Sequence, residues 1–314
     1  MKLIELLHRR LIFVTGKGGV GKTCLATSLG VLSADVGKKT IVVEVDNFHP
    51  SLSTVFATKT SYTPVKVQEN LYICNITWRK SLEDWLYRTV KIKRIVKIIQ
   101  ANKIAMLFLD ATPGAREIVI LSKIIELLDN YDKVIVDLPA SGHALGILRV
   151  PKTATELMRS GPIHERAKQI LEVFSSAKTS LILSSLPEEM VVNETLEFRA
   201  KIMEEVPQFQ NIRIILNRTA TPSLSAHEIE LLNRLSANKK ENPLINEVLQ
   251  AGIWEQDLEN ATTKAIKRLE EELQQPVFSF ARFGLLGGFD GGMEKVIKQM
   301  TAALNRQVKK EAIQ

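Results

Sequence analysis

Residues 13–24 read FVTGKGGVGKTC, and positions 16–23 fill the pattern G-x-x-x-x-G-K-[ST]. Their surroundings decide the fold. Upstream, Leu11, Ile12, Phe13 and Val14 form the short apolar run of a buried strand. Downstream, Leu25, Leu29, Leu32 and Val36 recur at helical spacing over 22–36. Strand, glycine loop and helix in that order make a phosphate-binding loop. Gly18, Gly19 and Gly21 permit a tight turn and bring backbone N–H groups close to phosphate oxygens. The helix N-terminus adds its partial positive charge. Gly16, Gly18, Gly19, Val20, Gly21, Lys22, Thr23 and Cys24 are the expected nucleotide-binding run. Lys22 is placed to reach the β- and γ-phosphates of ATP, and Thr23 to ligate Mg²⁺.

Lys17 is not needed for that cradle. A cation one residue into the loop has a physical use in trans, where it can meet the negative charge that develops on a second chain's nucleotide. Two nucleotide sites would then face each other across a dimer.

The 314 residues are 45% hydrophobic and 25% charged, which suits one large α/β domain or a domain with an insertion. No apolar run reaches the roughly 18–20 residues of a membrane helix. The opening MKLIELLHRR lacks a signal-peptide pattern. The expectation is a cytoplasmic chain, or one peripheral to a membrane. Cys24 and Cys74 form neither a disulfide framework nor a metal pair by spacing. The net charge of +7 is concentrated: residues 85–109 contain no acid but hold Arg88, Lys91, Lys93, Arg94, Lys97 and Lys103 among apolar neighbours. This stretch reads either as a basic amphipathic helix fit for an anionic membrane or acidic partner, or as the solvated face of an ordinary helix. One charge cluster without a base-reading motif does not support specific nucleic-acid binding.

Apolar runs at 39–45, 71–76, 133–138, 179–184, 212–216 and 277–280 read as strands. Helical patterns cover 113–130, 152–176, 193–205, 225–236, 255–273 and 293–310, with Pro113 suited to a first turn. The alternation predicts one domain over 1–314, a mostly parallel doubly wound sheet with helices on both faces. A small helical insertion is expected from about 77–110 and 152–176. Ligands in such sheets sit at the carboxyl ends of strands. Two loops there carry aspartates: EVDNFHPSLSTVF from Glu44, and PASGHALGILRVP after the strand at 133–138. Asp46 and Asp137 can divide the work of orienting the attacking water and holding a Mg²⁺-bound water.

KGGVGKT, the Asp-x-x-His loop at 46–49, DLPASGH at 137–143 and LPEEMVVNET at 186–195 occur in that order. Together they resemble the arsenical pump-driving ATPases, a family that also contains the ATPases delivering tail-anchored membrane proteins. The match runs from about residue 11 to 218 and is weaker beyond. The resemblance implies an ATP- and Mg²⁺-dependent, dimeric nucleotide switch, as a homodimer or with a related chain, acting on a membrane or membrane-protein partner. It implies that Lys17 contacts the partner's nucleotide, that Asp46 positions the lytic water, and that Asp137 lies near Mg²⁺. It further implies that Gly142 and His143 respond to the γ-phosphate, that Asn217 reads adenine, and that Glu188 lies at the dimeric site.

Departures from the family are also visible. Asp46 is followed by Asn47 where the family has proline. Two cysteines are too few for a clustered soft-metalloid site, and no Cys-x-x-Cys pair is present. A second reading is a positioning ATPase that coats a surface through the stripe Met293, Val296, Ile297, Met300, Leu304 and Val308. The same stripe also suits a last helix packed on the sheet. A metalloid pump motor is a third reading.

Overall fold

Strand β1 (Leu11–Gly16) is buried along its whole length, which is why it is apolar without alternation. A computed structural model describes residues 3–47, 49–90, 94, 98, 101–103, 112, 114–236, 243–283 and 292–313. Among them β1 stands between β5 (Lys133–Ala140) and β6 (Thr179–Ser185) in the order β3-β4-β2-β5-β1-β6-β7-β8. The other strands are β2 (Thr40–Val45), β3 (Val65–Gln68), β4 (Leu71–Ile76), β7 (Ile212–Thr219) and β8 (Phe278–Ala281). All neighbours pair in parallel except β3, which runs antiparallel to β4 at the edge. From β1 the chain crosses to β2 on one side, while β6 lies on the other. The loop after β1 therefore sits where the winding reverses, the place such sheets bind ligands.

Alternate strand residues feed two cores. Leu11, Phe13, Val134 and Leu181 belong to one, and Ile12, Val14, Ile135 and Ile182 to the other. The second core is closed by α2 (Lys22–Asp35) and the last helix, α11 (Gly292–Ile313), through Leu25, Leu29, Met300 and Leu304. The short α1 (Ile4–His8) joins this face, and α3 (Ser51–Val55) follows β2. The first core is closed by α4 (Trp78–Val90), α5 (Ala115–Leu127), α6 (Ser141–Leu157), α7 (Pro162–Ser175), α8 (Glu189–Glu205) and α10 (Pro243–Leu273). α9 (Ala226–Ser236) precedes α10. Phe13, Phe174 and Phe209 meet within the first core, the last two stacked with ring centroids 4.5 Å apart. The doubly wound α/β class expected from the sequence is the fold observed.

α4, α5 and α7 are joined by a polar network. Asp84 accepts from Tyr62 Oη at 2.7 Å and from Lys123 Nζ at 2.5 Å, and Glu126 lies between Arg88 and Arg166. Arg88, one of the six cations of the basic stretch, is thus tied down at 2.5 Å from Glu126. Trp85 packs against the core and Leu86 is within it. Lys91, Lys93 and Lys97, most of the stretch read either as a membrane-facing basic helix or as the solvated face of an ordinary one, and Pro113 fall outside the described residues.

Three sequence readings are corrected, and one pair of alternatives is decided. Residues 141–151, read as loop, are the first part of α6; Ala144, Ile147, Leu148, Pro151 and Ala154 are its buried stripe. Gly142, Gly146 and Pro151 disguised that period. Strand β3 was not read at all, because four residues on an edge carry no pattern. Helix α10 starts at Pro243, twelve positions ahead of the expected 255. The stripe considered for surface binding is largely buried: Ile297, Met300, Leu304 and Val308 are at most 9% exposed. Ser28 Oγ donates to Ile297 O, and Thr301 Oγ1 to Ser28 O. The last helix is part of the core.

Candidate functional site

The phosphate loop is built on two glycines where a Cβ would be strained and crowded. Gly16 has φ +148°, and a Cβ there would lie 2.2 Å from Ser184 O on β6. Gly21, the N-cap of α2, has φ +88°, and a Cβ would lie 2.4 Å from Asn217 Nδ2 on β7. Both neighbours hold the loop. Ser184 Oγ and Asn217 Nδ2 donate to the Val20 carbonyl at 3.1 and 3.0 Å. The Val20 side chain is buried with Leu186 and Val191. Gly18 and Gly19 are exposed with open space around them. No side chain caps the first turn of α2, so its amides are available to an anion.

Lys22 folds back across the loop and donates from Nζ to Lys17 O at 2.9 Å. Burial lowers its pKa, opposed by the nearby Asp137. Thr23 Oγ1 donates to Asp137 Oδ2 at 2.5 Å, joining the start of α2 to β5. Asp137 Oδ1 is buried and has no hydrogen-bond partner among the described residues. Burial pushes the Asp137 carboxyl up to about 7; Thr23 and Lys22 oppose this and Glu44 adds to it. A carboxylate sheltered from water, with one oxygen unpaired beside a threonine hydroxyl, is short of a positive charge.

Glu44 faces Asp137 in the β2–β5 register and is 1% exposed. Its oxygens accept from the Ser51 and Leu52 amides, at 2.7 and 3.3 Å, and from Asn47 Nδ2. It therefore holds the loop between β2 and α3. Asn75 on β4 grips the same loop, donating to Asn47 O and accepting from Asn47 N. Asp46 sits in that loop at φ +48°. Its carboxylate accepts from the Trp78 amide at 3.4 Å, at the start of α4. Lys17 Nζ is 3.0 Å from Glu194 Oε2 on α8. Ser141 Oγ donates to the other oxygen of the same carboxylate. Gly142 and His143 are exposed in the first turn of α6 and line a cavity of about 730 Å³ with Gly146, Ile147, Val150 and Met158. Glu188 is exposed at the N-cap of α8. His49 is exposed, and its amide donates to Asn47 Oδ1.

The model of the anion-transporting ATPase family matches residues 9–221, the span holding this whole cluster. The chain belongs to that family. The ATPase BagA of Mycobacterium tuberculosis is 28% identical over 239 residues, covering 70% of this chain and 68% of its own. A putative arsenical pump-driving ATPase of Aquifex aeolicus is 27% identical over 296 residues, with coverages of 86% and 73%. The ATPase GET3B of Arabidopsis thaliana is 26% identical over 280 residues, with coverages of 71% and 67%. As a member of the family the chain is a nucleotide-binding ATPase, as the resemblance implied.

Within this ATPase the fold gathers Gly16, Val20, Gly21, Lys22, Thr23, Asp137 and Asn217 at the carboxyl ends of β1, β5 and β7. Asn217 was expected to read a base; its amide oxygen accepts from Arg218 N while its Nδ2 supports the loop. Glu44, Asn75, Ser184 and Glu194 were missed. Glu44 and Asn75 had a weak signal, each a lone polar residue near the end of an apolar strand. Ser184 and Glu194 had none that separates them from their neighbours. Cys24 packs against one core and Cys74 lies in the other, on opposite sides of the sheet, so they cannot form a thiolate pair. Among the described residues no cluster of three or more histidine, cysteine or acidic side chains could hold a metal. No described helix is long and apolar enough to cross a membrane.

Proposed function

We propose that this ATPase is a dimeric nucleotide switch in which each chain holds ATP with Mg²⁺ and completes its partner's site with Lys17. The observation that carries the reading is the Thr23–Asp137 pair, with its unpartnered buried Oδ1, at the foot of an open glycine loop. Those residues fit Mg²⁺: the Thr23 hydroxyl as a direct ligand, and Asp137 and Asp46 through water. Held there, Mg²⁺ would supply positive charge that offsets the charge of the phosphates. Loop amides and Lys22 bind the phosphates. Asp46 orients the attacking water. Gly142 and His143 lie in the first turn of α6, directly after β5, so a γ-phosphate near Asp137 can move the start of that helix and the cavity behind it. Asn217 borders the base, and Glu188 lies toward the partner. The helical insertion expected from about 77–110 and 152–176 is the part that would meet a membrane-protein client or an anionic membrane.

The test is Lys17→Ala. It should bind nucleotide like the parent chain yet fail to form an ATP-dependent dimer in sedimentation, with turnover reduced by about 10³-fold or more, in the range of arginine-finger losses. Unchanged dimerisation and turnover would remove the trans role.

A further inference from the structure

The Lys17 ammonium that this reading sends to a partner is engaged within its own chain. Glu194 Oε2 is 3.0 Å from Lys17 Nζ, and Oε1 accepts Ser141 Oγ at 3.1 Å. One carboxylate thus joins the phosphate loop to the first residue of α6, four positions after Asp137. The platform behind it is rigid. Thr195 Oγ1 donates to Ser185 Oγ at 2.9 Å in the buried end of β6, and Val191 packs on Val20 of the loop. Glu194 cannot follow Lys17 if the lysine swings away.

We propose that Glu194 is a positioning residue that holds Lys17 in cis and sets the nucleotide level at which Lys17 is released to a partner's site. The inference rests on the dimeric reading above. The strength of the pair suits the task. Both side chains are about 40% exposed, and such a pair contributes at most about 1 kcal/mol. A triphosphate offers several charges and stronger charge-assisted hydrogen bonds, so it can outcompete one carboxylate. The Ser141 link makes release responsive to the chain's own nucleotide. A shift of α6 that withdraws the Ser141 hydroxyl leaves the Glu194 carboxylate freer to move from Lys17. A chain without nucleotide keeps its lysine home.

Glu194→Gln tests this, because it keeps the shape and the Ser141 bond but loses the ion pair. Two readouts are needed. In the first, brief acetylation of Lys17, followed by mass spectrometry without nucleotide, should be about two- to fivefold faster in the variant. In the second, the ATP concentration for half-maximal dimerisation should fall by a similar factor, while binding of a fluorescent ADP to the monomer is unchanged. In a Lys17→Ala background the substitution should alter neither nucleotide binding nor self-association. Ser141→Ala, which leaves both charges, should shift the midpoint in the same direction by less. A Glu194→Gln midpoint equal to or higher than that of the parent, in a parent that does dimerise, overturns the proposal. If the parent never dimerises with ATP, the gate falls together with the dimeric reading. Faster acetylation in Glu194→Gln would then show that the cis contact is real and that the dimer is what failed. Thermal melts of each variant confirm that folded chains are compared.

Discussion

Gly21 and Asn217 meet closely beneath the phosphate loop. The Asn217 amide occupies the space a Cβ at position 21 would need, and it supports the Val20 carbonyl from there. Gly21→Ala would combine a left-handed backbone with that clash. It should cost about 1–3 kcal/mol of stability and abolish nucleotide binding by calorimetry. A variant with unchanged affinity would mean that the loop is not the nucleotide site. Asp46 is different. Its φ of +48° lies where Asp and Asn are tolerated better than most residues. Asp46→Asn therefore preserves the loop while removing the charge, and should bind ATP normally but hydrolyse it far more slowly. Wild-type turnover in this variant would take Asp46 out of the chemistry.

Two elements are secured in ways their sequences do not announce. Lys133, 2% exposed, reaches from β5 to the end of α1, where its Nζ donates to Leu6 O at 2.7 Å and Leu7 O at 3.1 Å. Burial, with a smaller contribution from Lys38, pushes its pKa down to about 7 from the ordinary 10.5. Between those values the unfolded chain binds more protons than the folded one, so this group's contribution to stability rises with pH across the window. Urea unfolding should show that rise between about pH 7 and 9, by up to about 3 kcal/mol. Lys133→Met should lack it and be less stable throughout, since two carbonyls lose their donor. Equal pH slopes would remove the buried-lysine account. Helix α11 is the second case. Ile297, Met300, Leu304 and Val308 close the core over α2, at roughly 1.5–3 kcal/mol per buried side chain. A chain ending at residue 291 should lose cooperative unfolding, because that sum approaches the whole stability of a domain. A truncation that stays folded yet no longer sediments with liposomes would restore the surface-coating reading.

For the whole molecule, the helices over the first core and the winding reversal at β1 put the phosphate loop and the α6 cavity on connected elements. Under the proposed delivery role, a chain locked with ATP should hold a client. Asp46→Asn, captured from lysate in ATP, should enrich a membrane protein or membrane fraction that Lys22→Ala does not. Recovery of the chain alone would favour a self-assembling switch over client delivery.

The residues that bind phosphate were legible because their chemistry is local. Glycines in a turn, a lysine and a threonine at a helix start, and the flanking apolar runs lie within 26 consecutive positions, 11–36. The parallel sheet followed from apolar strands alternating with helices, and Asp137 from its place at a strand end. Glu44, Ser184, Asn217 and Glu194 belong to other strands and helices. Their roles arise only when β2 lies against β5, β7 brings Asn217 under the loop, and α8 packs on Val20. Likewise, the stripe on α11 has the same period whether it faces a membrane or α2. Burial partners chosen across hundreds of positions are set by packing, which no local pattern encodes. Lys17 shows the division most plainly. Its position in the loop suggested a partner in another chain, and the tertiary structure placed Glu194 of its own chain 3.0 Å away.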